Sequence, residues 1–187
     1  MKKILLLILL FPYLLVAQNS YNLSLLGTYE WNTTEGSDIW GWVDPVNQNE
    51  YALVGLYNGF SVVNVTNPAF PDEEFFISDI NSIWRDIKTW GNYAYITTEA
   101  DAGLLIVDLT DMTGNTYSHV TQFTNNNGSS VSFTSAHDIY IDENGIAYIF
   151  GAGGPGPQSD GAIFLDVDAN PTNPVYLGEW SDEYIHD

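Results

Sequence analysis

The feature that most constrains this chain is a segment plan that recurs three times. Segments 39–43, 51–54 and 59–65 make one copy; 83–87, 93–96 and 103–109 make a second; 135–139, 146–149 and 161–167 make a third. Ala52, Ala94 and Ala147 hold equivalent places 42 and 53 residues apart, and Asn64, Asp108 and Asp166 recur 44 and 58 residues apart. A period of this length is one supersecondary unit, which cannot bury its apolar face alone and must stack on its neighbours. The extra length of the third copy falls in 151–160, where glycine and proline oppose regular structure. Tyr184-Ile185-His186-Asp187 opens a fourth copy.

Within a copy, short β-rich runs alternate with turn chemistry, and no sustained 3.6-residue apolar period follows residue 17. The second copy divides into strands near 84–90, 92–99, 103–110 and 117–124, with turns at Gly91-Asn92, Asp101-Ala102-Gly103 and Thr113-Gly114-Asn115. Four antiparallel strands are what a propeller blade requires. Unbroken apolar runs such as Leu104-Leu105-Ile106-Val107 suit strands covered on both faces, here by the blades on either side. The expected fold is therefore all-β, a propeller-like array with blades near 39–80, 83–124 and 135–182. An outer strand near 23–29, similar to Tyr176-Leu177-Gly178-Glu179-Trp180, precedes the first blade. Propellers close with 4–8 blades, so three leave the ring incomplete and the chain reads as part of a longer protein. A β-sandwich or an open twisted array is the alternative.

Lys2 and Lys3 precede an apolar run over 4–16, and Ala17 supplies a small residue before polar Gln18-Asn19-Ser20. This reads as a secretory signal peptide over 1–17, too short for the ~20 apolar residues of a membrane span. No transmembrane segment is expected after its removal. The remaining chain, 18–187, holds only Arg85 and Lys88 as Lys or Arg beside 24 Asp and Glu. Such a surface disfavours nucleic acid and anionic membrane as partners. The absence of cysteine excludes a disulfide scaffold and a thiolate metal site.

At Gly103-Leu104-Leu105-Ile106-Val107-Asp108-Leu109-Thr110 the chain resembles the LVIVD repeat of bacterial and archaeal surface proteins. Segments 59–68 and 161–168 are looser copies. Trp84-Arg85-Asp86-Ile87 and Ala136-His137-Asp138-Ile139 look like the choice-of-anchor B family, secreted proteins that carry this repeat. The resemblance covers about 21–187 and implies a secreted or cell-surface β-propeller; it implies no reaction.

The candidate chemistry lies where each innermost strand should open. Trp42, Asp86, Asp138 and Asp187 are taken as equivalent there, preceded by Gly41, Arg85, His137 and His186. Asp86, Asp138 and Asp187 would converge near the axis and bind calcium through oxygen, with His137 and His186 as further metal ligands or bases. The competing reading makes these acids structural, each accepting backbone N–H groups or pairing across a blade junction. Asn64, Asp108 and Asp166 read as turn-holding residues, the Asp166/Asp168/Asn170 spacing lacks the rest of a calcium loop, and most tryptophans read as blade packing. No catalytic residue or cofactor-binding residue emerges, and the chain reads more readily as a non-enzyme. The leading functional expectation is a binding or adhesion module for a protein or glycan at the cell surface. A secreted, calcium-dependent hydrolase with an axial Asp/His site is one alternative, and a structural spacer in a larger surface protein is another.

Overall fold

The computed structural model describes residues 22–32, 34–125, 127–153 and 161–186. The signal-peptide segment, most of the 151–160 insertion and Asp187 lie outside these residues. Among them every element is a strand, and no helix is long and apolar enough to cross a membrane.

Three four-stranded antiparallel sheets follow one another along the chain, each with its strands in sequence order. Sheet 1 holds β1 (Gly36–Val43), β2 (Glu50–Leu56), β3 (Gly59–Asn64) and β4 (Asp72–Ser78). Sheet 2 holds β5 (Arg85–Trp90), β6 (Tyr93–Thr98), β7 (Leu104–Asp108) and β8 (Tyr117–Val120). A two-stranded hairpin, β9 (Gln122–Thr124) with β10 (Ser130–Ser132), intervenes. Sheet 3 holds β11 (Asp138–Ile141), β12 (Ile146–Ala152), β13 (Gly161–Asp166) and β14 (Val175–Trp180).

The sequence explains the local geometry. Gly91-Asn92 closes the β5–β6 hairpin in two residues because Gly91 takes φ +56°, which a side chain disfavours. In the β11–β12 turn, Asp142 Oδ1 accepts the Asn144 and Ile146 N–H groups, and Gly145 takes φ +75°. Asn64 and Asp108 each accept the N–H two residues on, and Asp166 accepts that of Ala169, the turn-holding work expected of a short side chain there.

Strand alternation then builds two cores. On β6 and β7, Ala94, Ile96, Leu105 and Val107 point at sheet 1, where they meet Leu53, Phe60, Val62 and Phe75. Tyr95, Leu104 and Ile106 point the other way and meet Ile139, Ala147, Ile149, Ile163 and Leu165 of sheet 3. The expectation that Leu104-Leu105-Ile106-Val107 is covered on both faces is met, since all four are buried. Burying each such side chain contributes about 1.5–3 kcal/mol, so the junctions between sheets hold the array together.

Three expectations are corrected. The outer strand of the second copy stops at Val120; Gln122–Thr124 pairs instead with Ser130–Ser132, and Phe123, Val131 and Phe133 fill the core between sheets 2 and 3. Residues 23–29 join no ladder. Gly27 packs against the Pro68 carbonyl, Trp31 Nε1 donates to Glu73 Oε1 at 2.8 Å, and the segment borders sheet 1 without forming a strand of its own. Finally, Trp42 is not the counterpart of Asp86. Trp42 faces Tyr51 as Trp90 faces Tyr93, so Asp38 is the residue equivalent to Asp86 and Asp138. The β1–β2 connection runs over 44–49 where β5–β6 needs only two residues, and that difference displaced the alignment.

Candidate functional site

The first strands β1, β5 and β11 lie side by side, and the corrected register puts Asp38, Asp86 and Asp138 in a row across them. Asp38 Oδ2 accepts the N–H of Ile87 at 3.0 Å, and Asp86 Oδ2 accepts that of Ile139 at 2.9 Å. Each N–H is forked, since it also donates to the aspartate before it, Asp86 Oδ1 at 2.9 Å and Asp138 Oδ1 at 2.6 Å. One short side chain per sheet thus fixes the edge of the next. Lys88 lies in the same row: its ammonium is 2.8 Å from Asp86 Oδ1 and stands over the Trp40 ring, 4.8 Å from its centre.

Three carboxyls this close do not ionise independently. Burial works against the charge of Asp86, yet hydrogen bonds from Asp138, Asp38, Lys88 and the Ile139 N–H outweigh it and hold its carboxyl well below the usual range. Burial and the neighbouring Asp86 carboxylate push Asp138 up to about 6, against the pull of the Ile139 N–H and Lys88. Burial and Asp86 likewise raise Asp38. Asp86 is therefore the carboxyl of the row that ionises most readily, and its charge is what holds the two acids beside it back.

The residues immediately before these acids do three different things. Ser37 Oγ accepts the Arg85 N–H at 2.8 Å and so ties sheet 1 to sheet 2. The Arg85 side chain turns inward and is buried; Nε donates to the Leu56 carbonyl at 2.8 Å, Nη1 to Asp79 Oδ2 at 2.8 Å, and Nη2 to the Ile80 carbonyl. His119 Nε2 also meets Asp79, at 3.2 Å. Burial of Asp79 opposes its charge, but the bonds from His119, the Ile80 N–H and Arg85 lower its carboxyl to about 2.

His137, by contrast, faces outward. Its Nδ1 is 2.6 Å from Glu99 Oε1, and its ring lies 3.9 Å, centre to centre, from that of His186. Trp84 flanks His137 at 5.9 Å and Tyr184 flanks His186 at 6.1 Å. Trp84 is 50% exposed and Tyr184 58%. The outcome is an aromatic and imidazole patch at the opening of the first strands of the sheets, mounted on the stapled row.

Of the residues expected to converge, Asp86 and Asp138 are brought together, and His137 and His186 form a separate pair of tilted rings in contact, with Glu99 on His137; Asp187 lies outside the described residues. The donor set fits calcium poorly, because the carboxylate oxygens of the row already hold main-chain N–H groups and an ammonium occupies it. Among the described residues no three or more His, Asp or Glu gather in a way that suits a metal ion. Asp168 Oδ1, weighed as a calcium ligand, accepts Trp90 Nε1 at 3.2 Å, and Trp42 Nε1 donates to the Gly91 carbonyl at 3.0 Å, so both rings lock one sheet to a turn of the next.

Sequence reasoning missed Asp38, Glu99 and the inward turn of Arg85. The first was findable: Asp-Ile recurs at 38–39, 86–87 and 138–139. The other two were not, since nothing local distinguishes a glutamate that meets a histidine 38 residues away.

Residues 84–116 match the LVIVD repeat family model. The match runs from the entrance of β5 through β7 to the turn before β8, so the repeat unit contains Asp86, Arg85 and the strands that carry both cores of sheet 2. No curated protein matches the chain.

Proposed function

We propose that this LVIVD-repeat chain is an exported, cell-surface β-propeller of the choice-of-anchor B kind, whose three sheets are blades about an axis, and that it acts as a binding module. The patch of Trp84, His137, His186 and Tyr184 is the surface offered to a protein or glycan partner. The observation that carries this reading is that two large rings stand half exposed beside a pair of imidazoles in contact, next to strands whose positions are fixed by the acid row beneath. Amphipathic rings on a rigid scaffold give much contact area with little ordering entropy, the property of binding hot spots. The acid surface favours a neutral or basic partner.

The hydrolase reading has less support. A general acid or base must reach substrate, whereas the carboxyls of Asp138 and Asp86 are engaged with the Ile139 N–H, and Asp86 also with Lys88. The test is binding of the intact chain to an array of neutral glycans and to cell-envelope extracts. Trp84→Ala and Tyr184→Ala should each weaken any captured partner about tenfold or more while the melting temperature holds. Retention of full affinity by both variants would reject the patch.

A further inference from the structure

A groove of about 560 Å³ opens between the end of sheet 2 and sheet 3, at the edge away from the acid row. One wall is the end of β8 with Thr121 and β9; the other is the β13–β14 connection and the start of β14. Its volume falls within the roughly 300–1,000 Å³ of small-molecule sites. Its chemistry departs from that of the chain around it. No Asp, Glu, Lys or Arg occurs over 112–137 or over 169–178, in a chain with 24 Asp and Glu, so both walls are uncharged. Val120, Phe123 and Tyr176 line the groove and are buried, whereas Thr121, Gln122, Thr124, Asn170 and Asn173 are exposed.

Three of its polar side chains are held at one atom and keep a second for a ligand. Gln122 Oε1 accepts the Ser130 hydroxyl at 3.1 Å, which leaves the amide nitrogen as a donor. On the facing wall Asn170 Oδ1 accepts the Asn173 N–H at 3.2 Å and the Thr172 hydroxyl at 3.4 Å, again leaving the amide nitrogen. His119 Nε2 is 3.2 Å from the ionised Asp79, so in the neutral ring Nε2 carries the proton and Nδ1 is the acceptor. Anchoring of this kind removes rotamer freedom before a ligand arrives and so lowers the ordering cost of binding. Two donors and one acceptor, with the Thr121 and Thr124 hydroxyls able to serve as either, match sugar hydroxyls, each of which donates and accepts.

We propose that this groove binds a short neutral saccharide of one or two rings. A cation would gain more on the acidic remainder of the surface, and an anion would be repelled by it. A peptide strand added to a sheet edge would draw on main-chain groups, whereas the groups gathered here are side chains. The inference rests neither on the aromatic patch nor on closure of a ring.

Amide NMR shifts of the intact labelled chain, titrated with maltose, cellobiose and lactose up to about 50 mM, decide it. At least one sugar should move the amides of 119–124 and 170–176 with millimolar affinity, which array washing does not retain, and leave those of 84–87 and 184–186 in place. Galacturonate should move neither set. Asn170→Ser keeps an oxygen for the Asn173 N–H but lacks the amide nitrogen, and Gln122→Ala removes an exposed side chain. Each should weaken that sugar about threefold to tenfold, the value of one neutral hydrogen bond, at an unchanged melting temperature. No response to any of the three sugars, an equal response to galacturonate or to acetyl-trialanine amide, or full affinity in both variants would each overturn the proposal. Shifts confined to 84–87 and 184–186 would overturn it too, and would assign the sugar to the aromatic patch.

Discussion

Replacing Asp86 by alanine removes the acceptor shared by two sheets and the partner of Lys88. The Ile139 N–H loses its 2.9 Å bond to Asp86 but keeps the 2.6 Å bond to Asp138, and the Ile87 N–H keeps Asp38 at 3.0 Å. No main-chain donor is left bare, so the cost falls at the low end for charge-assisted bonds, about 2 kcal/mol. For a domain of this size that lowers the melting temperature by roughly 4–8 °C. A second consequence has the opposite sign and belongs to this geometry alone. Asp138 is raised to about 6 by its burial and by the Asp86 carboxylate, so in Asp86→Ala its titration should move down toward the ordinary aspartate range. Guanidinium unfolding gives the first quantity and carboxyl-carbon NMR against pH the second. An unchanged melting temperature together with an unmoved Asp138 midpoint would refute the linkage across the row.

Other outcomes follow from the same packing. Arg85→Met leaves Asp79 and the Leu56 and Ile80 carbonyls without their buried partner and should cost about 3–5 kcal/mol, with Asp79→Asn in the same background costing much less than it does alone; additive costs in denaturant titrations would contradict the clamp. Burial and the Asp86 carboxylate raise the native carboxyl of Asp138 to about 6, so the stability it contributes is present below about 4 and is lost as pH rises through 6. Asp138→Asn, which still donates to Asp86, should flatten that part of the melting-temperature profile. The lowered carboxyl of Asp79 acts the other way, stabilising above pH 4 and losing its contribution as pH falls toward 2. Trp42→Phe keeps the ring but not its bond to the Gly91 carbonyl and should cost about 1 kcal/mol in urea unfolding.

Much of the architecture was legible because it is periodic. The alanines at 52, 94 and 147 sit at the same rung of each second strand, and the run Leu104-Leu105-Ile106-Val107 is apolar throughout because both its faces are buried. The turn-holding role of Asn64, Asp108 and Asp166 was equally readable, since it depends only on residues two or three further along. Connector length is what sequence counting handled badly. The long β1–β2 connection hid Asp38 behind Trp42, and the hairpin of Gln122–Thr124 with Ser130–Ser132 looked like a strand that ran on. The exposed patch was half legible. His137 and His186 stood out as repeated residues, but their ring contact and the approach of Glu99 and Trp84 are tertiary contacts that no local spacing encodes.

Aspartates of neighbouring sheets are engaged in joining them, and the aromatic patch above them is the binding surface we propose. Hydrogen-bond scalar couplings measured by NMR on labelled protein test it directly. Correlations should link the Ile87 nitrogen to the side-chain carboxyl carbon of Asp38 and the Ile139 nitrogen to that of Asp86. Assigned amides for Ile87 and Ile139 that exchange with solvent at the rate of exposed loops, with neither correlation present, would contradict it.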